Sequence, residues 1–224
     1  MNRKLAILSI LLALLSITAS ANMIDKGLEA LQLKDYFKAK TLFEKGLRKH
    51  KVGAHFGLSM VYVEVKSPFY NLDSAYQHAL QCEASFRIAE NNELKKLPDY
   101  GISEQQVLGL KQAVFDQAYS ETVAKRTVEA CDLFLNRFNN ATQKKQVIDL
   151  RSLIAFEQAQ TIGTSQAYEA FANLYPKSNE APRAHALFEE TRYHEHTAKG
   201  DIQSYAQYLV KYPASPFRKQ AEDK

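Results

Sequence analysis

Apolar residues recur at spacings of three and four through the chain after residue 21, and no segment alternates apolar and polar residues for long. This period is typical of amphipathic α-helices and not of half-buried strands. Ser103, followed three residues later by Gln106, predicts the start of the longest helix through a capping box. The apolar stripe of that helix consists of Ile102, Val107, Leu110, Val114, Ala118 and Val123, widened by Leu108, Phe115 and Tyr119. The pattern predicts an all-α protein.

Residues of one chemical type recur every 37 positions in the C-terminal half. Such internal repetition indicates an array of one supersecondary unit. The recurring sets are Thr127, Thr164 and Asp201; Ala130, Ala167 and Ser204; Phe134, Phe171 and Tyr208; Phe138, Tyr175 and Tyr212; Asn139, Pro176 and Pro213; Ala141, Ser178 and Ser215; Val147, Ala184 and Ala221; with the pairs Gly163 and Gly200, and Phe156 and Tyr193.

Each set predicts a structural role. The Thr/Asp set supplies side-chain oxygens for helix N-caps, and Gly163 and Gly200 end the preceding helices in the left-handed conformation. Aromatic residues four apart place two rings on one helix face, and the proline set stops that helix. We expect Ser178 or Ser215 to cap the second helix, with Pro216 at its first position. One unit therefore reads as helix, turn, helix, turn.

A different period governs the N-terminal part, and its small and large residues resemble the tetratricopeptide (TPR) family. Met23 stands at the family's tryptophan position and Lys51 at its closing proline position. The residues that carry the first unit are Gly27, Tyr36, Ala39, Phe43 and Gly46, within residues 21–51. The second unit carries Leu72, Ala75, Ala79 and Cys82, after a first helix over about residues 53–65.

The C-terminal pattern ring-x-x-x-Tyr-Pro-x-Ser is similar to the TPR-like repeats of bacterial envelope proteins such as the outer-membrane assembly lipoprotein BamD. The segments Lys34–Ala39 and Ser67–Tyr76 resemble exported TPR proteins of Bacteroidota-type bacteria. The resemblance implies an α-solenoid of antiparallel helix pairs. We expect two TPR units over residues 22–90, a polar linker over 91–102, and longer TPR-like repeats over 103–224, the last one incomplete.

The first 21 residues are typical of a secretory signal peptide. Arg3 and Lys4 precede an apolar run over residues 5–17, and Ala19-Ser20-Ala21 supplies the small-residue exit. A transmembrane anchor would need about 20 apolar residues, more than this run provides. No cysteine lies near the junction for lipid attachment. We therefore expect export to the periplasm or the medium, with no membrane span after cleavage.

Charge excludes some partners. The whole chain carries a net charge of +4, and loss of Arg3 and Lys4 with the signal peptide lowers it to +2. A nucleic-acid-binding protein requires a clustered basic face, so we expect no nucleic-acid partner. Tight binding to an anionic membrane is likewise not implied.

The two cysteines leave two alternatives open. Cys82 and Cys131 enter an oxidising route if the chain is exported, and can then form one disulfide. Both also lie among small and apolar residues at helical spacing, as buried free cysteines commonly do.

No pattern of an enzyme site is present. The chain has no glycine-rich phosphate loop and no G-x-S-x-G elbow. His194 and His196 are two apart on a helix and point in different directions, and Glu190 with His194 supplies only two of the three or four ligands of a zinc site. We predict no catalytic, cofactor-binding or metal-binding residue.

These observations favour a non-catalytic scaffold or adaptor of the bacterial periplasm or cell envelope that binds a protein or peptide in a concave groove. The candidate contact residues are His55, Leu58 and Tyr62, at spacings of three and four on a first helix. The alternative for Leu58 and Tyr62 is packing against the neighbouring unit. The alternative function is a structural repeat module at the N-terminus of a longer exported protein whose activity lies elsewhere.

Overall fold

The computed structural model describes residues 23–224, and within that range it contains helices and no strand. The all-α prediction is therefore confirmed for the described residues, whereas the predicted signal peptide, residues 1–21, lies outside them. The chain divides into two compact units, with the boundary between Ala118 and Tyr119. Over residues 23–224, no helix combines the length and the apolar character needed to cross a membrane.

The first unit consists of successive helices that pack on their neighbours along the chain. Asp35 and Asn71 cap two of these helices by accepting hydrogen bonds from the amides of Lys38 and Ser74. The elements are α1 (Met23–Gln32), α2 (Tyr36–Gly46), α3 (Lys51–Val63), α4 (Leu72–Ile88), the short α5 (Asn91–Leu94), a 3₁₀ turn (Pro98–Tyr100) and the first part of α6 (Glu104–Lys125).

Residues 91–102, expected as a linker, pack as part of the first unit. Leu97, Tyr100 and Ile102 are buried in the same apolar core as Ile24 and Phe43. Many residues of the segment are charged or polar, and this overall polarity led to the prediction of a linker although three of its apolar side chains are buried. The long helix begins as predicted, since Gln106 and Ser103 form both backbone–side-chain bonds of a capping box.

The second unit repeats its helices in a register of 37 residues. Its first-type helices each contain ten residues and begin at Val128, Ser165 and Ile202, and its second-type helices begin at Lys144, Ala181 and Arg218. In chain order they are α7 (Val128–Arg137), α8 (Lys144–Ile162), α9 (Ser165–Leu174), α10 (Ala181–Thr197), α11 (Ile202–Lys211) and α12 (Arg218–Glu222).

The caps of the first-type helices are identical in kind. Thr127, Thr164 and Asp201 each accept a hydrogen bond from the amide three residues later, at 3.1, 3.2 and 2.7 Å. Each of these residues satisfies one of the unpaired amides of its helix's first turn. The predicted N-caps are confirmed.

Left-handed residues precede these caps. Gly163 and Gly200 both have φ of +68°, as predicted, and Arg126, one repeat earlier, has φ of +48°. Lys34, with φ of +61°, stands in the same relation to the α2 cap in the first unit. A left-handed residue followed by a capping Asp or Thr thus precedes α2, α7, α9 and α11, and glycine is used at two of these four sites.

Aromatic rings join each first-type helix to the helix before it. The prediction paired Phe156 with Tyr193, and the structure adds Tyr119 one repeat earlier. Ring centroids lie 6.5 Å apart for Tyr119 and Phe134, 5.3 Å for Phe156 and Phe171, and 5.3 Å for Tyr193 and Tyr208. The rings four residues apart also touch, with centroids 5.5, 5.2 and 5.2 Å apart in the three repeats.

The predicted capping of the second-type helices by serine is wrong. These helices begin three residues after the serine position, and Glu180 and Phe217 occupy the N-cap positions without side-chain cap bonds. Pro216 accordingly lies ahead of α12 and not at its first position. Ser215 instead bonds the Tyr208 hydroxyl and accepts from the Phe217 amide.

Candidate functional site

The predicted contact residues lie where α3 packs against α4. His55 of α3 and His78 of α4 approach through their Nδ1 atoms, 3.0 Å apart. One imidazole must donate this hydrogen bond and the other must accept it, so the two rings hold different tautomers. We call these two residues the histidine pair.

Tyr62 completes the contact from α3. Its ring stacks on His78 with a centroid distance of 5.5 Å and an interplanar angle of 7°. Lys40 of α2 lies nearby, where it forms an ion pair with Glu44 and places its ammonium 5.3 Å from the Phe69 ring. The two histidines and Tyr62 therefore join α3 to α4.

Burial sets the charge of the histidine pair. Desolvation, followed by the neighbouring His78 and Lys51, lowers the pKa of His55 to about 4. Desolvation also lowers the pKa of His78, with Glu44 acting in the opposite direction. Both imidazoles are therefore neutral at pH 7, which suits a hydrogen bond between them.

Leu58 cannot contact a partner. Its side chain is 1 % exposed and belongs to the core of the first unit. His55 and Tyr62 are half-buried, and each is engaged with His78. Of the three predicted contact residues, the structure thus removes one and leaves the other two mainly as packing residues.

Glu195 and His196, near the end of α10, have structural partners. Glu195 accepts hydrogen bonds from the amide and hydroxyl of Ser165 at the start of α9, and His196 Nε2 lies 2.8 Å from the Tyr212 hydroxyl. Within residues 23–224, no three His, Cys, Asp or Glu side chains are grouped closely enough to hold a metal ion.

Both thiols are free and buried. Cys82 Sγ donates to the Val52 carbonyl oxygen at 3.4 Å. Desolvation, with smaller contributions from Glu93 and Glu83, raises the pKa of Cys82 to about 12. Cys82 therefore remains a protonated thiol near neutral pH and is unsuited to nucleophilic chemistry.

An exposed apolar face occurs on α11. Ile202 and Val210 are 81 % and 84 % exposed, and the exposed Ala206 lies between them at a spacing of four. Residues four apart on a helix are neighbours on its surface. We call these three residues the α11 stripe.

The earlier repeats show that this face need not be apolar. In α9 the equivalent residues are Ser165, Glu169 and Asn173, and the latter two are exposed. In α7 the equivalents are Val128, Asp132 and Asn136. Because α9 has polar residues at all three positions and α7 at two of them, packing within the repeat does not explain the α11 stripe.

Sequence reasoning missed His78 and the α11 stripe for different reasons. His55 and His78 are 23 residues apart, and no local pattern relates them. The stripe has helical spacing in the sequence and was detectable by aligning its positions with those of the two preceding repeats.

No protein-family model matches the chain, and no curated protein and no solved structure matches it either.

Proposed function

We propose that the chain is a non-catalytic, protein-binding scaffold of the TPR type, an α-solenoid of helix pairs exported to the bacterial periplasm or cell envelope. The common register of caps, left-handed residues and aromatic contacts in the second unit supports the repeat architecture. Arrays of this kind present extended surfaces for partner proteins.

The α11 stripe is the observation that carries the binding role. Contiguous exposed apolar residues mark interaction surfaces more often than isolated ones do. Ile202 and Val210 flank the small Ala206, so the stripe has two ridges with a shallow gap between them. Such a surface suits an amphipathic helix of a partner protein, whose apolar ridge fits between ridges of the facing helix.

Position-specific crosslinking tests this role. A photoreactive phenylalanine analogue at residue 206 is compared with the same analogue at residue 169, the equivalent exposed position of α9, in cells of the natural host. We expect a defined crosslinked protein from residue 206 only, and its loss when Val210→Asp is added. Equal crosslinking from both residues, or none from residue 206, would contradict the proposal.

Export is tested separately. The full chain is expressed in a bacterium, the cells are fractionated and the intact mass is measured. A mass beginning at Asn22 in the periplasmic or extracellular fraction supports export, whereas an uncleaved chain retained in the cytoplasm opposes it.

A further inference from the structure

Two basic segments that are far apart in the sequence meet in the first unit. Arg48 and Lys49 lie at the turn between α2 and α3, Lys51 is the first residue of α3, and Lys96 follows α5. Together they line a cavity of about 360 Å³. This volume lies within the range of small-molecule sites, roughly 300–1,000 Å³.

The cavity carries an excess of positive charge. Its lining includes these four cations and two carboxylates, Glu90 and Glu93. Within residues 23–224, none of the four cations takes part in an ion pair. Like charges focused at one concave surface attract a counter-ion of opposite sign.

One of the two carboxylates is already engaged. Glu93 accepts a hydrogen bond from the Val52 amide at 2.9 Å, within the first turn of α3. That amide is thus satisfied by the protein itself, and the excess charge comes from the side chains of the two basic segments. The lining also includes Ile88 and Ala89, which contribute apolar atoms.

We propose that this cavity binds a phosphate-bearing ligand, either a soluble phosphomonoester or a lipid headgroup. The planar Arg48 guanidinium suits two phosphate oxygens at once, and the lysine ammonium groups of the lining add point charges. The cavity exceeds what a bare phosphate needs, and Ile88 and Ala89 offer apolar atoms to the organic part attached to it. This site lies in the first unit and is independent of the α11 stripe.

Titration of the purified protein with inorganic phosphate, glycerol phosphate and phosphatidylglycerol vesicles, each at low ionic strength, tests the proposal. Binding is measured by calorimetry, and the site is located by amide chemical-shift changes. We expect saturable binding, with changes concentrated at residues 48–52 and 88–96. Glycerol phosphate binding identifies a soluble ligand, and binding to anionic but not to phosphatidylcholine vesicles identifies a headgroup.

Paired variants separate the site from general surface charge. Lys51→Gln with Lys96→Gln should weaken binding by about tenfold or more, whereas Lys38→Gln with Lys66→Gln removes the same charge elsewhere in the first unit and should change it little. Equal weakening by both pairs would overturn the proposal. So would the absence of saturable binding of every probe below about 10 mM.

Discussion

The ring of Phe43 lies so close to Gly57 that a Cβ atom added to this glycine would stand 2.3 Å from ring atoms. A Cβ at Gly27 would likewise stand 2.6 Å from the same ring. Phe43 of α2 is fully buried between these glycines of α1 and α3. The spacing of α1, α2 and α3 therefore depends on the Phe43 ring and on the lack of a side chain at Gly27 and Gly57.

Gly57→Ala should destabilise the protein because the added methyl group overlaps a buried ring that has little room to move. Overpacking of this kind costs about 1–3 kcal/mol in the free energy of unfolding. Urea unfolding followed by circular dichroism measures the change.

Gly109→Ala is the matched control. Gly109 lies in α6, is exposed, and has no heavy atom within 4 Å of its added Cβ. Alanine in a helix interior is favoured over glycine by about 0.5–1 kcal/mol, so this variant should gain stability. The double variant Phe43→Leu with Gly57→Ala should lose less free energy of unfolding than the sum of the losses in the two single variants. Equal effects of the two alanine variants would contradict the close contact.

Phe171→Tyr should stabilise the second unit. Tyr208 bonds the hydroxyl of Ser215, whereas Ser178, one repeat earlier, has a buried hydroxyl oxygen with no hydrogen-bond partner among the described residues. Phe171 holds the position equivalent to Tyr208 and lacks the hydroxyl. A tyrosine hydroxyl at residue 171 should form a hydrogen bond with Ser178. Such a bond contributes about 0.5–1.5 kcal/mol to the free energy of unfolding.

A double-mutant cycle checks the origin of that gain. Ser178→Ala alone should be neutral or slightly stabilising, and it should abolish the benefit of Phe171→Tyr. Phe134→Tyr should destabilise the protein, because Ala141 stands at the serine position of that repeat and offers no partner. A gain from Phe134→Tyr as large as that from Phe171→Tyr would show that the bond to serine is not the cause.

The histidine pair should make the first unit sensitive to acid. The folded pKa of His55 is about 4, below its ordinary value of 6.5. Between these values the unfolded chain binds more protons, so the free energy of unfolding rises with pH. The contribution of neutral His55 to the free energy of unfolding is fully present above about pH 6.5 and is lost as the pH falls from there towards 4. Urea midpoints measured across this range should show the slope.

His55→Gln should flatten that dependence, since it removes the titrating group while keeping a hydrogen-bonding side chain towards His78. His185→Gln, at an exposed position of α10, should leave the slope intact. An unchanged slope in His55→Gln would exclude His55 as its source.

The two cysteines should resist labelling in the native protein. Burial raises the pKa of both thiols, that of Cys82 to about 12, so little thiolate is present and access is blocked. A thiol-reactive chromophore at pH 8 should react slowly with the native protein and rapidly with two thiols in denaturant. Absence of free thiols in denaturant would instead indicate a disulfide between Cys82 and Cys131.

Features set by residues a few positions apart could be predicted from the sequence. A capping oxygen reaches an amide three residues away, and a glycine at φ of +68° ends a helix by its own conformation, so Thr164 and Gly163 are recognisable locally. The same reasoning failed where local chemistry allows more than one answer. Ser178 can cap a helix, but the helix begins three residues later. Arg126 adopts a left-handed conformation, which its residue type does not predict.

Tertiary packing decided the rest. Helix α3 is apolar on nearly every side, so its period cannot show which face remains free, and Leu58 became a core residue because α3 packs against both α2 and α4. The histidine pair and the basic cavity join residues from separate helices and turns, which only the packed chain brings within reach. The sequence by itself determined the all-helical class, the N-caps of the first-type helices and the 37-residue register, because those depend on short-range bonds. Which side chains face a partner depends on contacts between distant segments, and that was settled by the fold.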